Sequence, residues 1–422
     1  VVGFRSRGPR AMDDNERKVL AFPLEPGFVP SNLPFFVVGI GASAGGITAL
    51  RRFLEAFPAD NGMAFVIVLH LSPEHESTMA DILQTKTRMP VLQVTETIPI
   101  EANHVYVIPP TKDLIMHDGH LQVLAAARPR GRHTAIDIFL RTLAEAHRER
   151  AVGIILSGAG SDGAVGIARI KERGGMTFVQ TPEDAEYDSM PRSAIATGMV
   201  DIILPVVEMP QKLIDLSRNA AAIQLPAAVN LDHGIISAAP FVVDDNRERA
   251  LRDIMSILQL RTGHDFSNYK RATVLRRLER RLQVNGLPDV MAYRAHLEQN
   301  AEETPALLQD MLISVTNFFR DRDAFEALER DVIPRIFRES NPAEPIRVWS
   351  MGCATGEEAY SIAMLLSEQN ALIDPPRAIQ VFASDIDERA LNIGRRGIYP
   401  ESIITDVSPT RLRQHFERQD DH

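Results

Sequence analysis

Between residues 35 and 204, short apolar runs alternate with segments whose apolar positions recur at helical spacing. The runs at 36–40, 64–69, 104–108, 152–156, 176–180 and 200–204 read as buried strands, and 135–149 and 164–173 as amphipathic helices. This rhythm predicts an α/β fold, a doubly wound and mostly parallel sheet with helices on both faces. Residues 114–124 differ: Asp118-Gly119 between apolar flanks predicts one antiparallel hairpin. Residues 206–245 lose the rhythm and are rich in Ala and Pro, the pattern of a helix followed by a linker. From 246 to 337 the periodicity is helical throughout. A strand then starts at 345–350, a helix follows at 357–369 and a second strand at 379–384, the opening of a Rossmann-like unit. The expected division is a tail at 1–33, an α/β domain at 34–222, a linker at 223–245, a helical subdomain at 246–338 and part of a second α/β domain at 339–422. With only two clear strands in that last part, its sheet is expected to be incomplete at His422. The tail, about thirty residues, is expected to be loose.

The first strand runs into a glycine-rich corner, Gly39-Ile-Gly-Ala-Ser-Ala-Gly-Gly46. Such a corner at the carboxyl end of a strand is where open α/β sheets place ligands. Its backbone N–H groups could cradle a phosphate. Alternatively Gly41-x-Ser43-x-Gly45 is a nucleophile elbow that presents the Ser43 hydroxyl to a cleft. Two residues favour the elbow. His70 follows the strand at 64–69, and Asp162 lies just past the strand at 152–156, in Ser157-Gly-Ala-Gly-Ser-Asp-Gly163. Both are expected on the same sheet edge as Ser43, as a base and the acid that orients it. The competing reading is a nucleotide-binding oxidoreductase. Gly158-x-Gly160-x-x-Gly163 matches a dinucleotide fingerprint, with Glu183 or Asp184 about twenty residues on, but it leaves Ser43 and His70 without a task. Taken singly, Ser43 is an ordinary helix cap and His70 an ordinary strand-end residue. It is the conjunction of the three that points to chemistry.

Composition narrows the classes. The 422 residues are 45% apolar and 24% charged, an ordinary globular balance with material for two or three domains. A net charge of −10 argues against a chain that coats nucleic acid or an anionic membrane. Cys353 is the only cysteine, which excludes an internal disulfide and any zinc site built on cysteines and fits a reducing cytoplasm; no metal is expected. No apolar run approaches the roughly 20 residues needed to span a bilayer.

The second strand–turn–helix, Val348-Trp-Ser-Met-Gly-Cys-Ala-Thr-Gly-Glu-Glu358, carries acids at the helix start. Glu357 there suits the helix dipole but repels phosphate, so the turn favours a cationic or zwitterionic ligand. The next strand ends at Asp385, placed to hold a pair of ribose hydroxyls. A ligand with an adenosine ribose and no phosphate is S-adenosylmethionine. The bland alternative is that Glu357 and Asp385 only cap helices, and Cys353 is best read as a small residue beside a tight turn.

The glycine corner, His70, Tyr106-Val-Ile-Pro-Pro110, Ser157-Gly-Ala-Gly-Ser-Asp-Gly163 and Ser189-Met-Pro-Arg-Ser-Ala194 together resemble the catalytic domain of the chemotaxis protein-glutamate methylesterases, the CheB type, from about 35 to 204. The resemblance implies Ser43 as nucleophile, His70 as base, Asp162 as orienter and main-chain N–H groups near Ala44 and Ala159 as the oxyanion hole, with no cofactor. The reaction implied is hydrolysis of a glutamate γ-methyl ester, releasing methanol. Ala159 stands where the family usually has Met, and Ala135-Ile-Asp137 where Ser-Val-Asp is usual. Most such esterases also carry a receiver domain ahead of the catalytic one; only about thirty residues precede the first strand here.

Residues from about 246 on, through Ser314-Val-Thr-Asn-Phe-Phe-Arg-Asp321, the Gly-Cys-Ala-Thr-Gly-Glu-Glu turn, Ala-Ser-Asp-Ile-Asp387 and Gly397-Ile-Tyr399, resemble the chemotaxis receptor glutamate methyltransferases, the CheR type. This implies Thr316, Arg320, Glu357 and Asp385 as S-adenosylmethionine contacts, and Ser314 replaces a common Asn. If the later strands of that fold are needed for the pocket, the chain as given is expected not to methylate. The implied partners are the cytoplasmic helices of methyl-accepting receptors, with no nucleic acid and no membrane-embedded part. Residues 246–300 hold eleven basic and six acidic residues, a net of +5. Lys270, Arg271, Arg276, Arg277, Arg280 and Arg281 fall mostly on one helical side, where they are expected to steer an acidic receptor helix. The alternative to both enzymes is a non-catalytic scaffold that binds receptors.

Overall fold

The structure is a computed structural model that describes residues 2–4, 30–69, 79–125, 134–223, 245–313 and 315–418. They fall into two compact units, Val29–Ile313 and Ser314–His422 with Val1–Phe28. The linker at 223–245 lies almost wholly outside the described residues.

In the first unit the chain runs through β1 (Val37–Ala42), α1 (Gly46–Glu55), β2 (Ala64–Leu69), α2 (Met79–Gln84), β3 (Val91–Gln93), β4 (Ile98–Pro99), β5 (Val105–Val107), β6 (Lys112–His117), β7 (His120–Ala125), α3 (Ala135–His147), β8 (Ala151–Ile155), α4 (Ala164–Glu172), β9 (Met176–Gln180), α5 (Ser189–Ala196), β10 (Ile202–Leu204) and α6 (Met209–Ala222). Seven strands form one parallel sheet in the order β10-β9-β8-β1-β2-β5-β3. The six apolar runs each supply a strand, and β3 adds a seventh at the edge. β3 is three residues long and only partly buried, so its period of two has no length in which to show. β1, β2, β8 and β9 are buried along their full length, which is why they read as unbroken apolar runs rather than alternating ones. The expected hairpin is β6–β7. Its turn, Asp118-Gly119, has φ of 44° and 72°, the two left-handed residues a tight hairpin of this twist requires.

Sheet order reverses between β1 and β8: β1 connects outward to β2 on one side, while β8 lies on the other. This is the topological switch point, and the corners after β1 and β8 open onto its carboxyl edge. The glycines explain how closely the layers meet. A Cβ on Gly39 would lie 2.8 Å from Leu140, and one on Gly41 2.3 Å from Ile136, so α3 packs directly on the backbone of β1.

Four helices follow in the same unit: α7 (Asp245–Thr262), α8 (Arg271–Asn285), α9 (Val290–Gln299) and α10 (Glu303–Met311). Their core is Leu251, Ile254, Leu258, Leu278, Leu282, Tyr293, Leu297 and Leu307. Asp289 caps α9 by accepting from Met291 N and Ala292 N, and Gly286 ends α8 in the left-handed conformation.

The second unit holds α11 (Arg322–Ala327), α12 (Ile333–Glu339), β11 (Ile346–Met351), α13 (Glu357–Asn370), β12 (Ile379–Ser384) and α14 (Glu388–Arg396). β11 and β12 pair in parallel with α13 crossing between them, the expected Rossmann-like start. Ile333 and Phe337 of α12 pack with Ile346, Leu365 and Leu366, which ties this helix to the α/β part. The expectation of a loose N-terminal tail fails at its first residues. Val2–Phe4 is the middle strand of a small antiparallel sheet with Ile398–Tyr399 and Phe416–Arg418, because a backbone strand there completes two otherwise open edges.

Candidate active site

Ser43 stands one residue past β1, on a turn closed by Gly46 N donating to Ser43 O at 2.9 Å. Gly45 takes φ 72°, and a Cβ there would meet Ser157 Oγ at 2.7 Å, so the turn needs glycine for both its angle and its space. Ser157, the residue after Leu156 on the neighbouring strand end, fastens this turn. Its carbonyl accepts from Ser43 N at 3.0 Å, and its hydroxyl donates to Ala44 O at 2.9 Å and accepts from Tyr187 N at 3.0 Å. Each bond is worth about 1 kcal/mol net; two of them hold the turn, and the third anchors Ser157 to Tyr187. Ser43 is half-buried, and its Cβ lies 3.0 Å from where a Gly158 side chain would begin. In the sequence Ser157 is marked only as part of a motif; a serine that joins two strand ends through both backbone and hydroxyl has no signature in one chain's sequence.

Asp162 lies in the corner after β8, the strand that pairs with β1. Its carboxylate is buried and accepts from two backbone groups, Ile136 N at 3.0 Å and Asp137 N at 2.9 Å. It therefore sits at the amino end of α3, where it satisfies two otherwise unpaired N–H groups of the helix. Asp137, in the first turn of α3, is fully buried, and its Oδ1 accepts from Gly166 N at 2.7 Å. Burial pushes its carboxyl well up from the ordinary carboxylate range, and the neighbouring Asp162 charge pushes further. The two carboxyl groups thus meet at the start of α3, Asp162 accepting its first N–H groups and Asp137 fully buried beside it. In the sequence Asp137 is marked only by its context, Ala135-Ile-Asp137 where Ser-Val-Asp is usual.

His70 lies outside the described residues. The strand before it is described: β2 pairs with β1 so that Leu69 faces Ala42, the residues immediately before His70 and Ser43.

Of the two backbone donors, Ala159 lies at the surface and Ala44 is half-buried. Among the described residues neither N–H donates to a protein acceptor, whereas the flanking Gly158 N and Gly160 N donate to Tyr187 O and Ser189 Oγ. Ser189 Oγ also donates to Gly160 O at 2.9 Å, so the start of α5 holds the loop that carries Ala159.

Two of the three fingerprint glycines and Asp184 are used in packing and structural hydrogen bonds, while Gly160 lies exposed with open space around it. Gly158 lies against Met190, and a Cβ on Gly163 would meet Ile155 at 2.4 Å. The Asp184 carboxylate accepts from Val206 N, Gln180 Nε2 and Arg52, which together hold it below the ordinary range despite partial burial.

In the second unit, Gly352, Ala354 and Gly356 all take positive φ, forming a tight turn between β11 and α13. Asp385 fastens it from the end of β12, accepting from Ala354 N at 2.8 Å and Asp387 N at 2.8 Å. Glu357 opens α13; its Oε2 accepts from Thr355 Oγ1 at 2.5 Å, and Tyr399 donates to Thr355 O at 2.8 Å. Burial pushes the Glu357 carboxyl up to about 7, and the Asp406 charge adds to this. Arg320 donates to Val315 O at 2.6 Å, and Thr316 is half-buried on the same loop, whose Phe319 N donates to Ser361 Oγ of α13. The loop carrying Thr316 and Arg320 is thereby tied to the helix that Glu357 opens. Cys353 is buried, as a small residue in this turn should be.

Among the described residues no cluster of His, Cys, Asp and Glu could hold a metal ion, and no helix is long and apolar enough to cross a membrane.

The first unit is an α/β fold, a doubly wound parallel sheet with a glycine-rich turn carrying Ser43 at its switch point. Residues 38–213 match the CheB methylesterase family, 249–312 the all-alpha domain of CheR methyltransferase and 314–422 its SAM binding domain. A putative protein-glutamate methylesterase/protein-glutamine glutaminase of Leptospira interrogans (strain Fiocruz L1-130) is 35% identical over 181 residues, 43% of this chain and 94% of that protein. The chain thus belongs to the CheB methylesterase family, with CheR methyltransferase domains in the same polypeptide. An uncharacterized 104.1 kDa protein of Rhodobacter capsulatus is 36% identical over 350 residues, 80% of this chain but 36% of its own length. The crystal structure of the Thermotoga maritima CheB methylesterase catalytic domain aligns with 26% identity and TM-score 0.41, over 44% of this chain and all of that one.

Proposed function

We propose that the first unit hydrolyses glutamate γ-methyl esters on the cytoplasmic helices of chemoreceptors. Ser43 attacks the ester carbonyl and His70 takes its proton. The oxyanion is held by Ala44 N and Ala159 N, and His70 returns the proton to the departing methoxide, which leaves as methanol. Water, activated by His70, then releases the glutamate carboxylate. Asp162 holds the imidazole in the productive tautomer and stabilises it when charged. The observation that supports this most is the fastening of the Ser43 turn to the β8 corner by Ser157, beside a buried carboxylate on the same sheet edge. The names of the methylesterase relatives also include glutaminase. The same acyl chemistry acts on a γ-carboxamide, with ammonia as the leaving group. Methanol release from methylated receptor helices tests the proposal, and a chain that binds receptor while releasing none is a scaffold instead.

The second unit is proposed to bind S-adenosylmethionine through Thr316, Arg320, Glu357 and Asp385, the cofactor supplying the methyl group for the reverse modification. The chemistry of Glu357 fits this ligand: a carboxylate that is costly to ionise in its pocket gains most from an ammonium group beside it. The sign follows from the raised value. Below about pH 7 the folded chain keeps Glu357 protonated, while an unfolded chain loses that proton near 4.5, so this group lowers stability as pH rises between the two. Cofactor affinity, which needs the ionised form, should rise about tenfold per pH unit below 7 and level off above it. Calorimetric titration across this range checks it; Glu357→Gln should bind weakly with no such slope. The chain covers only 36% of the Rhodobacter relative's length, so roles for the whole protein, and its place in the cytoplasm, rest on this proposal.

A further inference from the structure

The arginines of α8 do not form the open basic face expected for steering a partner: Arg277, Arg280 and Arg281 are buried. Arg280, 1% exposed, bridges Asp201 of the esterase part and Asp310 of α10, the latter at 2.5 Å. Lys171, at the end of α4, reaches the same two carboxylates at 3.1 and 3.3 Å. Each side therefore brings one cation and one anion to a shared, buried centre: Lys171 and Asp201 from the α/β part, Arg280 and Asp310 from the helices. Arg281 pairs with Glu303 at 2.8 and 2.6 Å, and Tyr293 donates to the same carboxylate. Arg277 donates to Lys171 O and Glu172 O, carbonyls of the last turn of α4, and Arg280 Nε donates to Gly175 O.

Burying charges is costly unless geometry and hydrogen bonds are nearly complete, and removing one partner strands the others. A surface built this way is matched to one partner. Its position is equally specific. Gly175 precedes β9, Asp201 precedes β10 and α4 ends there, all at the amino edge of the parallel sheet, opposite the carboxyl edge that carries Ser43 and Asp162.

We propose that α7–α10 are a permanent docking partner of the esterase part, seated on the sheet edge opposite the cleft, and that α8 spends its charge on this internal dock rather than on capture of an acidic partner. The helices then neither cover nor gate the cleft. This inference does not depend on the reaction assigned to Ser43.

The test uses the full chain with a protease site placed within 224–244. After cleavage the two pieces are expected to stay together in gel filtration at physiological salt, and Arg280→Met to separate them while leaving esterase turnover unchanged. In the uncleaved Arg280→Met chain, amide exchange at 171–176 and 198–201 should accelerate about tenfold or more while that of 37–42 does not, which separates undocking from general unfolding. Pieces that part in the unaltered chain, an Arg280→Met chain that stays docked with unchanged exchange, or turnover that changes on undocking would each overturn the proposal.

Discussion

Ser43→Ala should lower ester turnover by about 10⁴-fold or more while leaving the fold intact, because the nucleophile's contribution to an elbow-type triad is of that size and is not replaced by its neighbours. Ser43 N–H and C=O, Ser157 and the left-handed Gly45 hold the turn, and all survive the substitution. Folding stability should stay within about 1 kcal/mol, the ordinary range for a half-buried polar side chain. Steady-state methanol release and a thermal melt on the same samples separate the two effects. Turnover reduced only a few-fold would mean that another group attacks the ester.

Asp162→Asn should cost about 10³–10⁴-fold in turnover, and it should cost stability as well. The Asp162 carboxylate accepts from both Ile136 N and Asp137 N, one on each oxygen. An amide keeps one acceptor and turns its NH₂ toward the other donor, so one bond at the start of α3 is lost and two donors face each other, a cost of about 1–3 kcal/mol. The substitution also removes the negative charge beside Asp137. That charge is one of the causes holding the Asp137 proton, so Asp137 should ionise at lower pH in the variant, which a carboxyl-resolved NMR titration reads directly. A variant that loses activity with no change at Asp137 would place Asp162 in some other arrangement.

Much of the architecture is legible in the chain because its signals are strong. Buried parallel strands such as β1 and β2 are uninterrupted apolar runs, and Asp118-Gly119 specifies its own turn. What was not legible depends on contacts between distant residues. The edge strand β3 is too short to carry a pattern, and Val2–Phe4 is a strand only because two edges near the other end of the chain receive it. The glycines at 158–163 match a dinucleotide fingerprint, and spacing alone cannot say that Gly158 and Gly163 are glycines because Met190 and Ile155 pack against them. The arginines of α8 mislead in the same way: their spacing shows a charged side of a helix but not what that side faces. Asp201 and Asp310 make it a buried one. For the candidate site, the strand-end placement of Ser43 and Asp162 could be read from the pattern. The roles of Ser157 and Asp137 needed three-dimensional proximity.

The most direct measurement is acid quenching of the full chain during reaction with methylated receptor helices, followed by peptide mapping. The account predicts a glutamyl ester on the peptide containing Ser43, with methanol formed in the same sample. Methanol released with no acyl group on Ser43, or with the acyl group on another residue, would contradict it.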